Sequence, residues 1–322
     1  MDFERNEKED VLLPAQEPCE DNDAALLNEA ASMASGTILG PEHLSVLRRA
    51  IASNSLATLS HLVKNDAMGF KALPPSCVAT HPKLSITTLD FLFAYGWDIN
   101  NCREPIYLGS RHHDPFLWHV TSDEILVQWG LDHGARVQAT DRRTRPILET
   151  AANCGSFAAF KLLYSAGAPP GRRTLHLAIQ AAALGHIGAG DPEKDTEAQR
   201  KKRMQHEDRM ALVRYLIDVV ALDVNAEDWM PGDMGFSGHG GSGTPICYVI
   251  DHRNPERVKN ARDLTWLLLD RGADPTPALE DAVSNGMTMF IEHVDQWKEQ
   301  VDCGRARKGL TKVWTMLECC VQ

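Results

Sequence analysis

The sequence predicts an all-α protein: a solenoid of stacked helical repeats with a capping helix at each end and two insertions. Along the chain, apolar helical runs end six times in a short loop, after which a similar pattern begins again. Four of these endings centre on Gly96, Gly134, Gly167 and Gly272. From Gly96 to Gly134 is 38 residues, and from Gly134 to Gly167 is 33. A period near 33 residues is typical of repeats that each contain two helices.

Composition limits the class of protein before any motif is considered. The 322 residues carry 33 basic and 44 acidic side chains, a net charge of −11, which disfavours non-specific nucleic-acid binding by the whole surface. The eight cysteines include no Cys-x-x-Cys pair, and several follow the apolar helical pattern, as reduced core thiols of an intracellular protein do. No apolar stretch approaches the roughly 18 residues of a membrane span. We therefore expect a cytoplasmic or nuclear protein that is neither secreted nor bound to a membrane.

The N-terminal part of the chain is predicted to precede the repeats. Residues 1–23 carry nine acidic and two basic side chains. Residues 1–22 are therefore expected to form a disordered acidic tail rather than a signal or transit peptide. A helical pattern over Asp23–Ser35 then predicts an N-terminal capping helix within residues 23–40, since a stacked array needs a polar cap at its end.

The best preserved unit of the predicted repeat array, residues 41–296, contains a helix of small residues, Ala151–Cys154, a glycine turn and a second helix. Phe157, Phe160 and Leu163 recur in the second helix at helical spacing, which predicts its buried face. The small alanines of the first helix allow the neighbouring unit to approach closely.

This pattern resembles the ankyrin repeat, which runs Thr-Pro-Leu-His-x-Ala-Ala-x-x-Gly and continues into an apolar helix that ends in Gly-Ala-Asp. The resemblance recurs at Thr174–Ala178, at Thr244–Ile246 and at Ala50–Leu56. The chain also resembles the divergent single-module ankyrin proteins of filamentous fungi, some of which are encoded among secondary-metabolite pathway genes. The resemblance implies about seven units, which begin near Pro41, Pro74, Asp114, Arg145, Arg173, Thr244 and Thr276.

Three residues depart from the ankyrin pattern. Cys247 replaces the family histidine, Arg173 stands where threonine is usual, and Asn54 stands where glycine is usual. In the family, hydrogen bonds of the threonine and the histidine connect adjacent units. The resemblance therefore implies less about the junctions at Arg173 and Cys247.

Two insertions lengthen the array beyond its period. The first covers residues 188–209, where Asp191-Pro192 predicts a helix start and a strongly charged stretch follows. Its basic run Arg200–Arg203 fits either a nuclear localisation signal or a solvated helix of mixed charge. The second insertion covers residues 228–243 and is rich in glycine. It lacks the lysine of a phosphate-binding loop, so we expect a flexible loop tip.

The chain is predicted to end in a capping helix over residues 297–322. Within Gly309–Val321, apolar side chains recur at helical spacing, as in an amphipathic helix that covers the last repeat. The alternative is a helix that binds a partner.

No arrangement of residues in the sequence predicts catalysis or metal binding. The densest set of possible metal ligands is His112, His113, Asp114 and His119, but it lacks a fixed ligand spacing, and a solvated loop is the expected structure. By the ankyrin resemblance, His176 is expected to form a structural hydrogen bond in the core. We therefore predict a protein that is not an enzyme and binds neither metal nor cofactor.

The predicted partner-binding site lies in the loops between repeats, where arginines recur three times on a chain of net negative charge. The next loop reverses the sign with Glu227, Asp228 and Asp233 and adds apolar side chains. We expect a groove that binds an acidic peptide segment, with the enlarged loop as an apolar clamp. The alternative is that loops are polar in general. The predicted residues are Arg103, Arg111, His112, His113, Arg142, Arg143, Arg145, Arg172, Arg173, Trp229, Met230 and Phe236.

The sequence thus predicts a protein–protein interaction module, an adaptor or regulator. Its more specific forms are a transcriptional co-regulator and an accessory protein of a secondary-metabolite pathway. The competing hypothesis is an enzyme, or an accessory protein that binds a small molecule, with a pocket between the insertions and the groove. For that hypothesis the residues to test are His112, His113, Trp229 and His239. The sequence identifies neither the partner nor the oligomeric state.

Overall fold

The computed structural model describes residues 22–32, 41–64, 70–71, 73–79, 84–101, 114–138, 144–154, 156–184, 196–228, 243–250 and 261–319. In these segments the chain forms fourteen α-helices, one 3₁₀ helix and no β-strand, which confirms the predicted all-α class. The chain divides into two compact units, residues 1–111 and residues 112–322, and the boundary falls within the range predicted as one repeat array. None of the described helices has both the length and the apolar character of a membrane span.

The first unit contains, in its described residues, α1 Asn22–Ser32, α2 Pro41–Ala52, α3 Leu56–Lys64, α4 Pro75–Ala79 and α5 Ile86–Ala94. Helices α1, α2 and α3 contact one another, and Leu26, Leu47 and Leu59 are buried in these three helices. An ion pair between Arg49 and Glu29 also joins α2 to α1. Helix α1 therefore packs on the first helix pair, at the place in the chain where the N-terminal capping helix is predicted.

Side-chain hydrogen bonds connect α5 and the turn after it to the rest of the first unit. Asn54, in the turn between α2 and α3, has a φ of 56° and accepts a hydrogen bond from the Thr88 hydroxyl at 3.0 Å. Asparagine tolerates this left-handed conformation better than most residues, which explains how a residue other than glycine fits the turn. The indole N–H of Trp97 donates to the Leu73 carbonyl at 3.0 Å.

The second unit is built from helices arranged in pairs. Its described elements are α6 Phe116–His119, α7 Glu124–Asp132, α8 Ile147–Cys154, α9 Phe157–Ser165, α10 Thr174–Leu184, α11 Glu197–Asp218, the 3₁₀ helix Pro245–Val249, α12 Arg262–Asp270, α13 Thr276–Ser284 and α14 Thr288–Cys319. Helix α8 contacts α6, α9 and α10, and α10 contacts α11 and the 3₁₀ helix. The 3₁₀ helix contacts α12 and α13, which both contact α14. Each pair therefore packs mainly on the pairs next to it in the chain.

Helices α8 and α9 form the pair that the sequence predicts most clearly. Ala151 and Ala152 are completely buried in α8, which packs against α10. Phe160 and Leu163 of α9 are also completely buried, and Phe157 is half-buried. The predicted apolar stripe is therefore the packed face of α9, because residues three and four positions apart lie on one side of a helix.

The turns after the second helix of each pair share one backbone conformation. Gly96, Gly134, Gly167 and Gly272 have φ values from 79° to 87°, and Ala221 has a φ of 59°. In all five turns, the next residue donates its N–H to a carbonyl of the preceding helix, at distances of 2.9–3.1 Å. This left-handed helix ending favours glycine, because glycine has no Cβ to collide with the backbone. The recurring glycines of the sequence therefore have one structural role, which Ala221 fills in the turn after α11.

Two helices differ in extent from the sequence expectation. Helix α11 begins at Glu197, and Thr196 and Gln199 form a reciprocal capping box at its start. The start suggested by Asp191-Pro192 lies outside the described residues. Helix α14 passes residue 297, the predicted start of a separate capping helix, without a break.

The element after Thr244 is a 3₁₀ helix of five residues, whereas the sequence suggested an α-helix. Ile246 and Val249 favour an α-helix slightly less than unbranched residues do, whereas Pro245, at the first position, is compatible with either kind of helix. All five residues of the 3₁₀ helix are buried. Burial raises the pKa of the Cys247 thiol among them, which favours its neutral form.

Candidate interaction surface

Three of the twelve predicted partner-binding residues lie in the described part of the chain: Arg145, Arg172 and Arg173. All three precede helices of the second unit, Arg145 before α8 and the other two before α10. The predictions for Arg103, Arg111, His112, His113, Arg142, Arg143, Trp229, Met230 and Phe236 concern residues outside the described segments, as does that for His239.

Arg145 and Arg172 are exposed at the surface of the second unit. The backbone carbonyl of Arg145 accepts a hydrogen bond from the indole N–H of Trp118 at 2.6 Å, so the turn before α8 is tied to α6. Trp118 itself is buried. The position of this arginine is thus fixed through its backbone, while its side chain lies at the surface.

Arg173 is the least exposed of the three arginines, and its side chain is bonded within the protein. The guanidinium Nη2 donates to the Tyr248 hydroxyl at 3.1 Å, and Nε lies 3.9 Å from a carboxylate oxygen of Asp228. The Arg173 side chain is only 22% exposed. It links α10 to the 3₁₀ helix and to the loop before it.

Asp228 holds together the two ends of the enlarged loop, residues 228–243. Its backbone N–H donates to the Gly243 carbonyl at 3.2 Å, and the Gly243 N–H donates to its carboxylate at 2.8 Å. The Tyr248 hydroxyl donates to the other carboxylate oxygen. Burial of the phenol is the main cause that raises the pKa of Tyr248, and this hydrogen bond raises the pKa further. The tyrosine therefore stays neutral and keeps its donor proton. The two ends of the loop are therefore bonded to each other and to Tyr248 of the 3₁₀ helix.

His176 packs beside this group of side chains and is 1% exposed. Its Nε2 lies 3.0 Å from the Ala226 carbonyl, and its ring stands edge-on to the Tyr248 ring at 5.0 Å between centroids. Among the described residues, Nδ1 has no hydrogen-bond partner. Burial lowers the pKa of His176, because the charged imidazolium is disfavoured away from water. The expected structural hydrogen bond of this histidine is present and joins α10 to the turn that follows α11.

Glu149 fixes the turn that carries Arg172 and Arg173. Its buried carboxylate accepts a hydrogen bond from the Arg173 backbone N–H at 2.9 Å. A Cβ at Gly171 would lie 2.3 Å from the same carboxylate oxygen, so this close approach requires glycine. Neither Glu149 nor Gly171 is among the residues that the sequence analysis proposed. The Pro-Pro-Gly-Arg-Arg stretch marks a turn, but nothing in it indicates a carboxylate from another helix.

Three of the left-handed turns share a further hydrogen bond, which an aspartate side chain accepts. In each, an aspartate two positions after the left-handed residue accepts from a backbone N–H two residues further on, at 2.9 Å. The pairs are Asp98 with Asn100, Asp223 with Asn225 and Asp274 with Thr276. Hydrogen bonds from the backbone and side chain of Thr276 lower the pKa of Asp274. This shared bond gives the turns the same geometry whether or not they begin with glycine.

Asn225 connects two consecutive turns of the second unit. Its side-chain amide donates to the Gly272 carbonyl at 2.9 Å and accepts from the Asp274 N–H at 2.8 Å. Arg271, next to Gly272, forms two hydrogen bonds to Asp218, the last residue of α11. The turns after α11 and after α12 are therefore held side by side through specific polar contacts.

The possible metal ligands considered in the sequence form no cluster in the described residues. His119 is exposed, and its Nε2 lies 3.1 Å from the Asp114 carbonyl. Within the described segments, no three His, Cys, Asp or Glu side chains are placed to hold a metal ion. His112 and His113 lie outside these segments.

Comparison with known proteins gives no family for this chain: no protein-family model matches it, and no curated protein does.

Proposed function

We propose that the chain is a non-catalytic protein-interaction module of the ankyrin-repeat type, an adaptor or regulator that binds an acidic segment of a partner. The paired helices of the second unit and their recurring turns support this proposal, because each pair packs mainly on its neighbours in the chain. The resemblance to divergent fungal ankyrin proteins suggests a transcriptional co-regulator or an accessory protein of a secondary-metabolite pathway.

The observation that carries the proposal is the contrast between a fixed backbone and exposed cations in the turns before α8 and α10. The Arg145 carbonyl bonds to Trp118, and the Glu149 carboxylate bonds to the Arg173 N–H, yet Arg145 and Arg172 are exposed. A backbone that is already fixed need not be ordered on binding, which lowers the entropy cost of binding a specific partner. Cations on a chain of net charge −11 favour a partner of opposite charge.

The enlarged loop supplies the second half of the proposed site. Its ends are joined at Asp228 and Gly243, and its sequence carries Trp229, Met230 and Phe236. Aromatic and methionine side chains are enriched at the centres of protein interfaces. We propose that these three residues contact apolar side chains of the segment whose acidic groups meet the arginines.

Charge reversal in the turns tests the proposed function. A variant with Arg142, Arg143, Arg145 and Arg172 changed to glutamate is compared with wild type by affinity capture from the native cell and mass spectrometry. We expect the captured partner to be lost and the thermal melting curve to stay nearly unchanged.

The matched control changes Lys64, Lys161, Arg214 and Lys298 to glutamate, which alters net charge equally on exposed helix positions. The control is expected to retain the partner. Equal capture by both variants and wild type would contradict the proposed site.

A small-molecule site is a second candidate, because one observation favours it. Arg173 Nε, Thr174 Oγ1 and His176 Nδ1 lie on one helical turn and are buried without a hydrogen bond among the described residues, and the nearest charge to Nε is the Asp228 carboxylate at 3.9 Å. A bound molecule with acceptor and donor groups would satisfy these atoms. A thermal-shift screen of small carboxylates and amides with wild type and with Arg173→Gln tests this candidate. A ligand that raises the melting temperature of wild type but not of Arg173→Gln would support the small-molecule site. A screen that finds no such ligand would count against the site.

A further inference from the structure

The first residues of α11 form a basic surface outside the turns of the proposed site. We call Glu197–Gln205 the basic helix end. It carries Arg200, Lys201, Lys202 and Arg203 against the single acid Glu197, on a chain whose net charge is −11. The side chains of Thr196 and Gln199 each accept a hydrogen bond from the backbone N–H of the other, and this capping box defines the start of the helix.

Most of the basic helix end is exposed: Arg200, Lys201, Lys202 and Met204 lie at the surface, whereas Arg203 is half-buried. Lys202 lies on the same helix face as Arg209 and Val213, about two and three turns further on. Val213 is completely buried and Arg209 is half-buried, with its guanidinium donating to the Ala181 carbonyl at 3.1 Å. Lys202, in contrast, is exposed. Packing of this face against the rest of the unit therefore begins at about His206, beyond the basic run.

Asp208, an acidic residue close to the basic helix end, bonds to another helix of the unit. The Asp208 carboxylate accepts a hydrogen bond from the backbone N–H of Phe157, at the start of α9, at 2.9 Å. It thereby satisfies a free N–H of a helix terminus, where negative charge is favourable. Asp208 therefore bonds to the backbone of α9 and does not neutralise the basic run. The interpretation of this segment as a solvated helix of mixed charge leaves this out.

From these observations we propose that the basic helix end of α11 is a docking surface for an acidic segment of a partner polypeptide. Its length of about 13 Å suits a short segment of a few residues. A long array of phosphates would meet the repulsion of the remaining acidic surface. Met204, which is 70% exposed among the cations, adds a flexible apolar contact of the kind that polypeptide side chains fill. The surface shares no residue with the turn arginines of the proposed function.

Fluorescence anisotropy with the full chain tests this docking surface directly. The probe is a fluorescein-labelled synthetic peptide that repeats Glu-Glu-Leu over about twelve residues. The test variant changes Arg200, Lys201 and Lys202 to glutamine, which keeps good helix formers at exposed positions. We expect this variant to bind the probe about tenfold more weakly, since surface ion pairs each contribute little and three are removed. Its melting temperature is expected to stay unchanged.

The matched control is Arg214→Gln, an exposed arginine in the packed half of α11, which is expected to bind the probe as wild type does. Unweakened binding by the triple variant would overturn the proposal. So would equally tight binding of a probe with glutamine in place of glutamate, or of a thymidine oligonucleotide of similar length. If the turn variant with four arginines changed to glutamate no longer binds the probe and the α11 variant still binds it, the proposed function is supported and the docking surface on α11 is contradicted.

Discussion

Arg172 and Arg173 are adjacent in one turn but differ in exposure and in the contacts of their side chains. Arg172 is exposed, whereas Arg173 is bonded to Tyr248 and lies beside the Asp228 carboxylate. The sequence presents them as one pair of loop cations. In the fold, the side chain of Arg172 lies at the surface, and that of Arg173 belongs to the internal contacts that hold the enlarged loop.

The comparison teaches that a charged residue in a repeat turn must be assigned by its contacts before it is assigned a function. Asp228 gives the same lesson for the acidic loop, since its side chain is 8% exposed and bonds inside the unit. We therefore expect a charge reversal at Arg173 or Asp228 to destabilise the fold, whatever its effect on the proposed partner. At Arg145 or Arg172, whose side chains are exposed, we expect a charge reversal to change stability much less.

The largest expected difference is between Asp228→Ala and Arg172→Ala. Removing Asp228 leaves the Tyr248 hydroxyl without its acceptor and Arg173 without its ion-pair partner, and it opens the base of the loop, which we expect to cost about 3 kcal/mol of unfolding free energy. Removing Arg172 should change it by no more than about 0.5 kcal/mol. Urea denaturation of both variants measures the two values, and equal values would break the distinction between the two sites.

A smaller effect is expected at Gly171. A methyl group there would collide with the Glu149 carboxylate, so Gly171→Ala should cost about 2 kcal/mol of unfolding free energy. In the double variant with Glu149→Ala the collision is removed, and the total loss should be less than the sum of the two single losses. Additive losses in the same denaturation assay would show that the two residues act independently.

Ala221→Gly is expected to stabilise the protein by about 1 kcal/mol, because Ala221 is held at a positive φ of 59°. Ala166 provides the control: it is exposed at the end of α9 with a φ of −76°, so Ala166→Gly should not stabilise. Thermal melting distinguishes the two. A lower melting temperature for Ala221→Gly would contradict the shared role of the turns.

The pH dependence of stability should show the smallest effect. Burial lowers the pKa of His176 in the folded state, while the unfolded value is about 6.5. As pH falls below that value, the unfolded chain binds a proton that the folded chain does not, so the unfolding free energy decreases. His206 and His293 shift in the same direction for the same main reason.

In His176→Gln, the amide can still donate to the Ala226 carbonyl, and the loss of stability between pH 7 and pH 5 should be reduced but not abolished. Denaturation curves across this range measure the slope. An unchanged slope would show that His176 does not titrate in the unfolding transition.

Much of the helical architecture follows from patterns that a single sequence contains. The all-α class is predicted from recurring apolar runs, and the turns from glycines such as Gly134 and Gly272. Both are local signals, because helix periodicity and left-handed turns depend on neighbouring residues. The start of α11 at Glu197 is also a local signal, the capping box of Thr196 and Gln199, although Asp191-Pro192 predicts an earlier start.

The internal contacts at the candidate site could not be predicted in the same way. Arg173 meets Tyr248 across 75 residues, and Glu149 meets the Arg173 backbone across 24. Such pairings depend on how α8, α10 and the 3₁₀ helix pack, and a pattern of residue types does not encode distance between elements. An arginine in a turn looks the same in the sequence whether it faces a partner or a buried carboxylate.

The central claim is that a partner binds the turns before α8 and α10, and hydrogen–deuterium exchange of the captured complex tests it most directly. The account predicts slower exchange, relative to the free chain, in peptides that contain residues 139–146 and 169–173, with the buried helices α8 and α10 unchanged. Protection confined to α14 or to other surfaces, with these two turns exchanging as in the free chain, would contradict it.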